Sequence, residues 1–341
     1  MWINVPQKVL PFQRHFNFIN GERSIGKTYS VLKYCLKKAI DKENNEFIYI
    51  VRTQEEKKKG ALNKAFAKVW AKEFKDYDFD FDIDMCFLKT DKKKSKVLGH
   101  CIALSEAVKI KKEAFPFVKY LIMDEYMLED SQSTAYVNGW KEPDLLLSIY
   151  HTVDREEDRV ICFLLGNNTK FYNPYHMHPA FHIPKINRGE IWTSENVLFW
   201  WAVSDDELNE ARKGNKFLNM IAGTDYGTYA RKGEYADDND TFIGKRSEKA
   251  RHVFNIKYLE EYYGVWLDYV DGYIYLDKAI DPSCKFNYAL TKDDHSENTL
   301  LTKGKTCYYI TWLSKNYKLG NVKYANAEIR AKLEKGIYLI L

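Results

Sequence analysis

The sequence lacks the features that mark secreted, membrane-spanning and zinc-stabilised proteins. Its six cysteines include no CxxC pair, so neither a disulfide framework nor a zinc finger is indicated. No apolar run approaches the ~20 residues that a transmembrane helix needs, and the N-terminus has no basic segment followed by an apolar one. We therefore expect a soluble, cytosolic protein with no membrane partner.

Long tracts of proline, serine or glycine are also absent, which argues against extended disorder. With 341 residues, of which 45% are hydrophobic and 29% charged, the chain is long enough for two globular units. The net charge of +4 is too small to establish a polyanionic partner, although lysines concentrate at 57–59 and 92–96. Such runs are typical of a solvated surface or of a phosphate-binding one.

Short apolar runs alternate with helical stretches from Phe16 to Ile161, which is the pattern of βαβ units around a mostly parallel sheet. The region Tyr77–Leu104 reads as an antiparallel hairpin whose lysine-rich tip projects into solvent. The pattern predicts a helix over Lys27–Ile40 and strands at Phe16–Asn20, Phe47–Arg52, Tyr120–Asp124 and Val160–Gly166.

Between the first strand and this helix lies the segment Gly21-Glu22-Arg23-Ser24-Ile25-Gly26-Lys27-Thr28, which has the pattern G-x-x-x-x-G-K-[ST]. The backbone of such a loop wraps phosphates, its lysine reaches the β- and γ-phosphates, and its hydroxyl ligates Mg²⁺. We predict that these eight residues bind ATP. Arg23 has two open interpretations: it touches the γ-phosphate, or it pairs with Glu22 or another carboxylate.

An acidic pair follows the strand Tyr120–Asp124. Asp124 is placed to be the second protein ligand of Mg²⁺, and Glu125 is placed to polarise an attacking water. The pair favours ATP over GTP, because Ras-like GTPases rely on a glutamine to position the water.

Two further features point to an oligomeric ATPase. Arg155 and Arg159 follow a helix predicted at Asp144–Val153, and an arginine presented across a subunit interface stabilises transition-state charge. Asn167 follows the strand Val160–Gly166, where a polar residue can sense the γ-phosphate. Because Arg155 lies within a charged run, a surface ion-pair ladder is the alternative interpretation.

Together with these motifs, stretches spread over nearly the whole chain resemble the DNA-packaging ATPases of small podoviruses, relatives of the large terminase subunits. The similar stretches are Phe47-Ile48-Tyr49-Ile50-Val51-Arg52, Leu121–Tyr126, Thr152-Val153-Asp154-Arg155, Asn173-Pro174-Tyr175, Asp225-Tyr226-Gly227, Thr241-Phe242-Ile243-Gly244 and Gly264-Val265-Trp266-Leu267-Asp268.

The resemblance implies a role for each motif residue and for each partner. It implies a translocase that hydrolyses ATP with Mg²⁺ and drives double-stranded DNA through the portal of a procapsid. The protein would work in the host cytoplasm as a homo-oligomeric, usually pentameric, ring that is absent from the mature virion, in some members with a packaging RNA. The implied site has Lys27 and Thr28 as Walker A, Asp124 and Glu125 as Walker B and catalytic glutamate, Arg155 as trans finger with Arg159 as substitute, and Asn167 as coupling residue.

The expected fold class is α/β, in three parts. Residues 1–195 form a P-loop ATPase domain of the additional-catalytic-glutamate class, and residues 196–238 form a linker with a short helix at Glu207–Met220. Residues 239–341 form a C-terminal α/β domain that resembles a degenerate RNase H-type nuclease. Its predicted elements are a meander of strands at Val253–Tyr258, Gly264–Tyr269 and Tyr273–Leu276, and helices at Thr306–Asn316 and Asn326–Lys335.

A working RNase H-type nuclease needs acidic residues on its first strand to hold two metal ions. The first predicted strand offers Asn255 and Lys257 instead, so we expect no nuclease activity. Asp268, Asp271, Asp277 and Asp281 follow, but Asp271 and Asp281 lie in ordinary turn contexts.

Contacts to DNA are expected from basic side chains, because movement along any sequence must grip phosphates without reading bases. The candidates are Arg52, Lys57, Lys58, Lys59 and the run at 92–96. Three histidines, His176, His178 and His182, have a spacing that matches no common zinc site and are interpreted as surface residues. Two rival functions stay open: an ATP-binding switch or assembly protein with little turnover, and a terminase with an active nuclease.

Overall fold

The structure is a computed structural model that describes residues 2–91, 94–128, 136–221, 223–224, 235, 240–302 and 307–341. The chain divides into two compact units, Met1–Asp237 and Asp238–Leu341. Within the described ranges, no helix combines the length and the apolar character needed to cross a membrane. The similar stretch at 225–227 and the hairpin tip at 92–93 lie outside the described residues.

The first unit is built on one large sheet with the strand order β3-β4-β5-β2-β6-β7-β1-β9-β8. The six strands from β5 to β9 in this order are mutually parallel, and antiparallel strands extend both edges. Their bounds are β1 (Phe16–Gly21), β2 (Glu46–Val51), β3 (Phe79–Phe81), β4 (Met85–Asp91), β5 (Lys94–Ala103), β6 (Val118–Asp124), β7 (Ile161–Asn167), β8 (Ile191–Thr193) and β9 (Val197–Ala202).

Helices cover both faces of this sheet, which is why its central strands are apolar in nearly every position. Alternate residues of β1 enter different cores: Phe18 lies in the core that contains Ile149, and Ile19 lies in the core that contains Leu32. The helices are α1 (Val5–Val9), α2 (Lys27–Asp41), α3 (Gln54–Lys58), α4 (Ala61–Glu73), α5 (Glu142–Asp154), α6 (Asp206–Lys213) and α7 (Lys216–Met220).

Two sequence predictions for this unit need correction. The hairpin β4–β5 forms as predicted, but β5 also pairs with β2, so the hairpin widens the main sheet. The linker predicted at 196–238 starts too early, because β9 pairs with β1 along its whole length. An apolar run of six buried residues after Asn196 signals a central strand and not a connection.

The second unit has its own sheet, with the order β14-β13-β10-β11-β12-β15. The strands β10, β11 and β12 form the predicted antiparallel meander, and two helices pack their apolar faces into the same core. The elements are β10 (Arg251–Tyr258), β11 (Glu261–Leu267), β12 (Ile274–Asp277), β13 (Asn287–Ala289), β14 (Leu300–Leu301), α8 (Tyr308–Lys318), β15 (Val322–Tyr324) and α9 (Ala327–Tyr338).

The order and directions of strands β12-β11-β10-β13-β14 are those expected for an RNase H-type sheet, and both described helices of the unit follow these strands in the chain. The meander lies on one side of β10, and β13 and then β14 add in parallel on its other side. The strand β15 pairs in parallel with β12 and extends the opposite edge. The α/β fold class expected for both units is confirmed.

Candidate nucleotide site

The loop between β1 and α2 has the backbone geometry of a phosphate-binding loop. Gly26 caps α2 with φ +94°, a conformation that side chains disfavour, and a Cβ at this position would lie 2.6 Å from the Cβ of Trp2. Ile25 is fully buried beneath the loop. The glycine of the motif is therefore required by conformation and by space, and α2 directs its free N–H groups at the loop.

The carboxylate of Glu22 anchors this loop from inside the protein. It is buried, pairs with the guanidinium of Arg188 and accepts a hydrogen bond of 2.7 Å from the hydroxyl of Ser204. Only the backbone of Glu22 is thus placed to face a phosphate. Sequence reasoning missed Arg188 and Ser204, which lie more than 160 residues further along the chain.

Lys27 connects the loop to the end of a neighbouring strand. Its ammonium group donates hydrogen bonds to the carbonyls of Gly21 and Glu22, at 3.0 and 2.6 Å. It also lies 3.3 Å from Oδ1 of Asn167, the last residue of β7. The structure thus brings together two residues that the sequence separates by 140 positions.

Thr28 and Asp124 meet at the carboxyl edge of the same sheet. The hydroxyl of Thr28 donates to Oδ1 of Asp124 at 3.0 Å. Burial raises the pKa of Asp124 to about 6, against the hydrogen bond from Thr28, and the neighbouring charge of Glu125 adds to the increase. A hydroxyl and a carboxylate whose charge is under-compensated form the oxygen donor set that Mg²⁺ prefers, so these residues fit the cation.

Glu125 is exposed, and its backbone is held in the left-handed region with φ +54°. Residues with a side chain rarely adopt this conformation, and such strain concentrates at functional sites. A cavity of about 340 Å³ opens beside it, lined in part by Asp124, Lys59 and Lys64. The turn therefore presents the carboxylate of Glu125 next to that of Asp124, at the edge of an open space.

Arg52 holds this turn from inside the protein, which argues against its predicted contact with DNA. Its guanidinium donates to the carbonyls of Glu125 and Tyr126, at 2.7 and 2.5 Å, and to Oε1 of Glu142 at 3.2 Å. Only 6% of Arg52 is exposed. Since its donors are directed at partners inside the protein, it cannot also grip a phosphate.

The remaining basic candidates for DNA contact are of two kinds: some are bound to partners within the protein, and others are exposed. Lys57 is bound between Asp84 and Glu106, at 2.5 and 2.9 Å, which contradicts its role as a free phosphate contact. Lys58 and Lys59 are exposed at the end of α3. In the second run, Lys96 donates to the carbonyls at the end of α2, and it thereby fastens the hairpin to the sheet. Lys92 and Lys93 lie outside the described residues.

The two predicted finger residues have different surroundings. Arg155 is exposed, caps α5 in the left-handed conformation and donates to the carbonyl of Glu113 at 3.1 Å. The guanidinium of Arg159 is instead bound to backbone carbonyls, among them that of Phe115 at 3.1 Å, which excludes it as a substitute finger. Asp154 shapes the turn between them by accepting three backbone N–H bonds.

Arg155 lies at the edge of the sheet opposite to the phosphate loop. It precedes β7, whereas Asn167, beside Lys27, ends that strand. A seven-residue strand spans about 20 Å, so Arg155 cannot reach the phosphate loop of its own chain.

The histidine cluster does not assemble as a metal site. His176 is buried, whereas His178 pairs with Asp144 at 3.1 Å. Across the described part of the chain, no three His, Cys, Asp or Glu side chains group as metal ligands. The interpretation of these histidines as surface residues is wrong for His176. The chain segment that connects β7 to β8 folds into the core there, and the ring of His176 packs against that of Phe199.

Comparisons with known proteins match nearly the full chain to one family. The profile of the family described as Podovirus DNA encapsidation protein (Gp16) matches residues 1–338. The DNA packaging proteins of Bacillus phages phi29 and B103 are 33% and 34% identical to this chain over 326 and 323 residues, covering 95% and 94% of this chain and 94% and 96% of theirs. A solved chain of the bacteriophage phi-29 viral genome packaging motor assembly superposes with a TM-score of 0.74 at 29% identity, covering 100% of this chain and 99% of that one.

Proposed function

Because this chain belongs to the podovirus DNA encapsidation protein family and is a DNA-packaging motor protein, we propose that it hydrolyses ATP to drive double-stranded DNA through a procapsid portal. The observation that carries this proposal is the convergence of Lys27, Thr28, Asp124 and Asn167 at one edge of the sheet. Lys27 and Thr28 begin α2, whereas Asp124 ends β6 and Asn167 ends β7. Together they combine a phosphate-binding lysine with a cation-binding oxygen pair.

The roles of the site residues follow from their positions. The loop backbone and Lys27 bind the phosphates of ATP, and Thr28 and Asp124 would hold Mg²⁺, which would supply positive charge to stabilise the transferring phosphate. Glu125 orients and deprotonates the attacking water, and Asn167 reports the state of the phosphates to β7 through Lys27. For Arg23 both roles stay open: contact with the γ-phosphate, or an ion pair with a carboxylate.

Arg155 acts in our proposal on the nucleotide of a neighbouring subunit. Its position at the opposite edge of the sheet supports this, because the side chain is exposed and too far from its own loop. The active form is then a homo-oligomeric ring, for which we propose five subunits on the portal of a procapsid in the host cytoplasm. The ring is released before the virion matures.

The second unit serves this ring as a binding domain and not as a nuclease. At the centre of its sheet, Nδ2 of Asn255 donates to Oδ1 of Asn287 at 2.9 Å, on the two neighbouring strands β10 and β13. Two neutral amides, one of which donates to the other, offer a metal ion little in place of carboxylates. We propose that this unit binds the portal and, where one is present, a packaging RNA.

The test is ATP hydrolysis by the purified full chain with Mg²⁺, with and without linear double-stranded DNA. We expect DNA to stimulate phosphate release, and Glu125→Gln to lower the stimulated rate about 10³-fold while ATP binding persists. The exposed Glu43 provides the matched control, since Glu43→Gln leaves the rate unchanged. ATP binding without DNA-stimulated hydrolysis would instead identify a switch or assembly protein.

A further inference from the structure

A buried hydrogen-bonded cluster lies directly behind the turn that presents Glu125. Tyr126, the next residue, points its hydroxyl between Oδ1 of Asn20, at 2.5 Å, and Nε2 of His176, at 2.7 Å. Each of these three residues is at most 2% exposed. The sequence patterns gave none of them a role at the nucleotide site.

The cluster joins the ends of the strands that carry the nucleotide site. Asn20 immediately precedes Gly21, the first residue of the phosphate loop. Gly166 immediately precedes Asn167, and a Cβ at Gly166 would lie 2.9 Å from Cε1 of Tyr126. The ring of Tyr126 therefore occupies space that β7 leaves open, and its hydroxyl ties the end of β6 to the end of β1.

The turn needs such support because the backbone of Glu125 is in the left-handed region. Three interactions flank it. Arg52 donates to the carbonyl of Glu125 at 2.7 Å, and the N–H of Tyr126 donates to the carbonyl of Leu165 at 3.2 Å. The third is the hydroxyl of Tyr126, which connects the turn to the strand that leads into the phosphate loop.

We infer that Tyr126, held by Asn20 and His176, is a positioning residue that sets the Glu125 carboxylate against the phosphates of bound ATP. The inference rests on the proposed role of Glu125 in hydrolysis. Catalysis is steeply sensitive to such placement, and a displacement of about 1 Å in a reacting group can cost 100-fold in rate. Loss of the hydroxyl should thus slow hydrolysis while the phosphate loop still binds ATP.

The surroundings of His176 allow the hydrogen bond to be removed without a cavity. Its ring packs between those of Phe171 and Phe199, with centroids 5.0 and 5.1 Å away. Burial also lowers the pKa of His176 to about 3, so the imidazole is neutral and its replacement removes no charge. Phenylalanine fits this aromatic site, and glutamine keeps a polar group that can reach Tyr126.

The experiment measures DNA-stimulated kcat and the Kd for a fluorescent ATP analogue in four variants of the full chain. We expect Tyr126→Phe and His176→Phe each to lower kcat about tenfold with Kd unchanged within twofold. His176→Gln should restore kcat to within about threefold of the parent protein. The control is Tyr120→Phe on β6, the strand that leads to Tyr126. The hydroxyl of Tyr120 lies 3.3 Å from that of Tyr34 and takes no part in the buried cluster.

Two outcomes separate this inference from the proposed function. If Glu125→Gln abolishes hydrolysis but Tyr126→Phe and His176→Phe behave like Tyr120→Phe, the positioning role is overturned and the ATPase stands. A loss of ATP affinity in proportion to kcat would also overturn it, because that result indicates a general folding defect. If Glu125→Gln itself stays active, the proposed function fails first.

Discussion

Two aspartates, one in each unit, have opposite surroundings. Burial raises the pKa of Asp124 to about 6, and its described donors are the hydroxyl of Thr28 and the adjacent N–H of Glu125. Asp268 accepts from the backbone and hydroxyl of Ser247 and from the N–H of Val270, and these hydrogen bonds hold its pKa below the usual value. A carboxylate that lacks compensation suits a cation, whereas one that is fully hydrogen-bonded serves the fold.

The same contrast distinguishes the other acidic residues of the second unit. Asp271 accepts from the hydroxyl of Tyr275 at 2.6 Å, Asp277 pairs with Arg246 at 3.3 Å, and Asp281 accepts from Ser283 at 2.7 Å. Each of these carboxylates thus has a local partner. The comparison therefore predicts a catalytic, cation-dependent site in the first unit and a binding function without catalysis in the second.

The largest expected effect tests whether the nucleotide site is completed by a second subunit. Arg155→Ala should lower DNA-stimulated hydrolysis about 10³-fold, as loss of an arginine finger does. An equal mixture of Arg155→Ala and Glu125→Gln subunits should regain activity. In rings that assemble at random, about one quarter of the interfaces then combine an intact Glu125 with an intact Arg155 from the neighbour.

The control for this mixing experiment is Lys111→Ala, an exposed change near the same edge of the sheet, which should leave the rate unaltered. If the mixture is no more active than its two components, Arg155 does not act at the site of a neighbouring subunit. Full activity of a strictly monomeric preparation would have the same meaning.

An intermediate effect is expected from the aspartate of the second unit. Asp268→Ala should lower the melting temperature, because the N–H groups of Ser247 and Val270 lose their acceptor. The exposed Asp293→Ala is the matched control. Both variants and the parent protein should leave linear DNA uncut with Mg²⁺ or Mn²⁺. Cleavage that disappears in Asp268→Ala would reverse the comparison between the units.

The smallest effect concerns Lys58 and Lys59, two of the DNA-binding candidates, which are exposed in the described part of the chain. Changing Lys58 and Lys59 to glutamate should weaken DNA binding and reduce the slope of log K against log salt by about 2. Lys8→Glu, exposed on α1, should leave the slope as it is. An unaltered slope in the double variant would exclude this end of α3 from the DNA path.

Sequence reasoning succeeded where a function is encoded in neighbouring residues. The predicted phosphate loop is one continuous segment, and Asp124 and Glu125 are adjacent, so pattern and strand prediction together were enough to propose them as site residues. It did not anticipate the burial of Arg52, because a charged residue at the end of a strand looks the same whether it faces solvent or Glu142, 90 positions away.

The sequence by itself determined the parallel sheet, the loop proposed to bind phosphates and the acidic pair beside it, since each depends on local periodicity or on short spacing. Only the tertiary structure decided which side chains are available. It directed Arg52, Lys57 and Arg159 inward, left Arg155 exposed at the far edge of the sheet, and assembled Asn20, Tyr126 and His176 from distant segments. The physical reason is that a hydrogen-bond partner is chosen by proximity in space, and packing brings together residues that no sequence spacing relates.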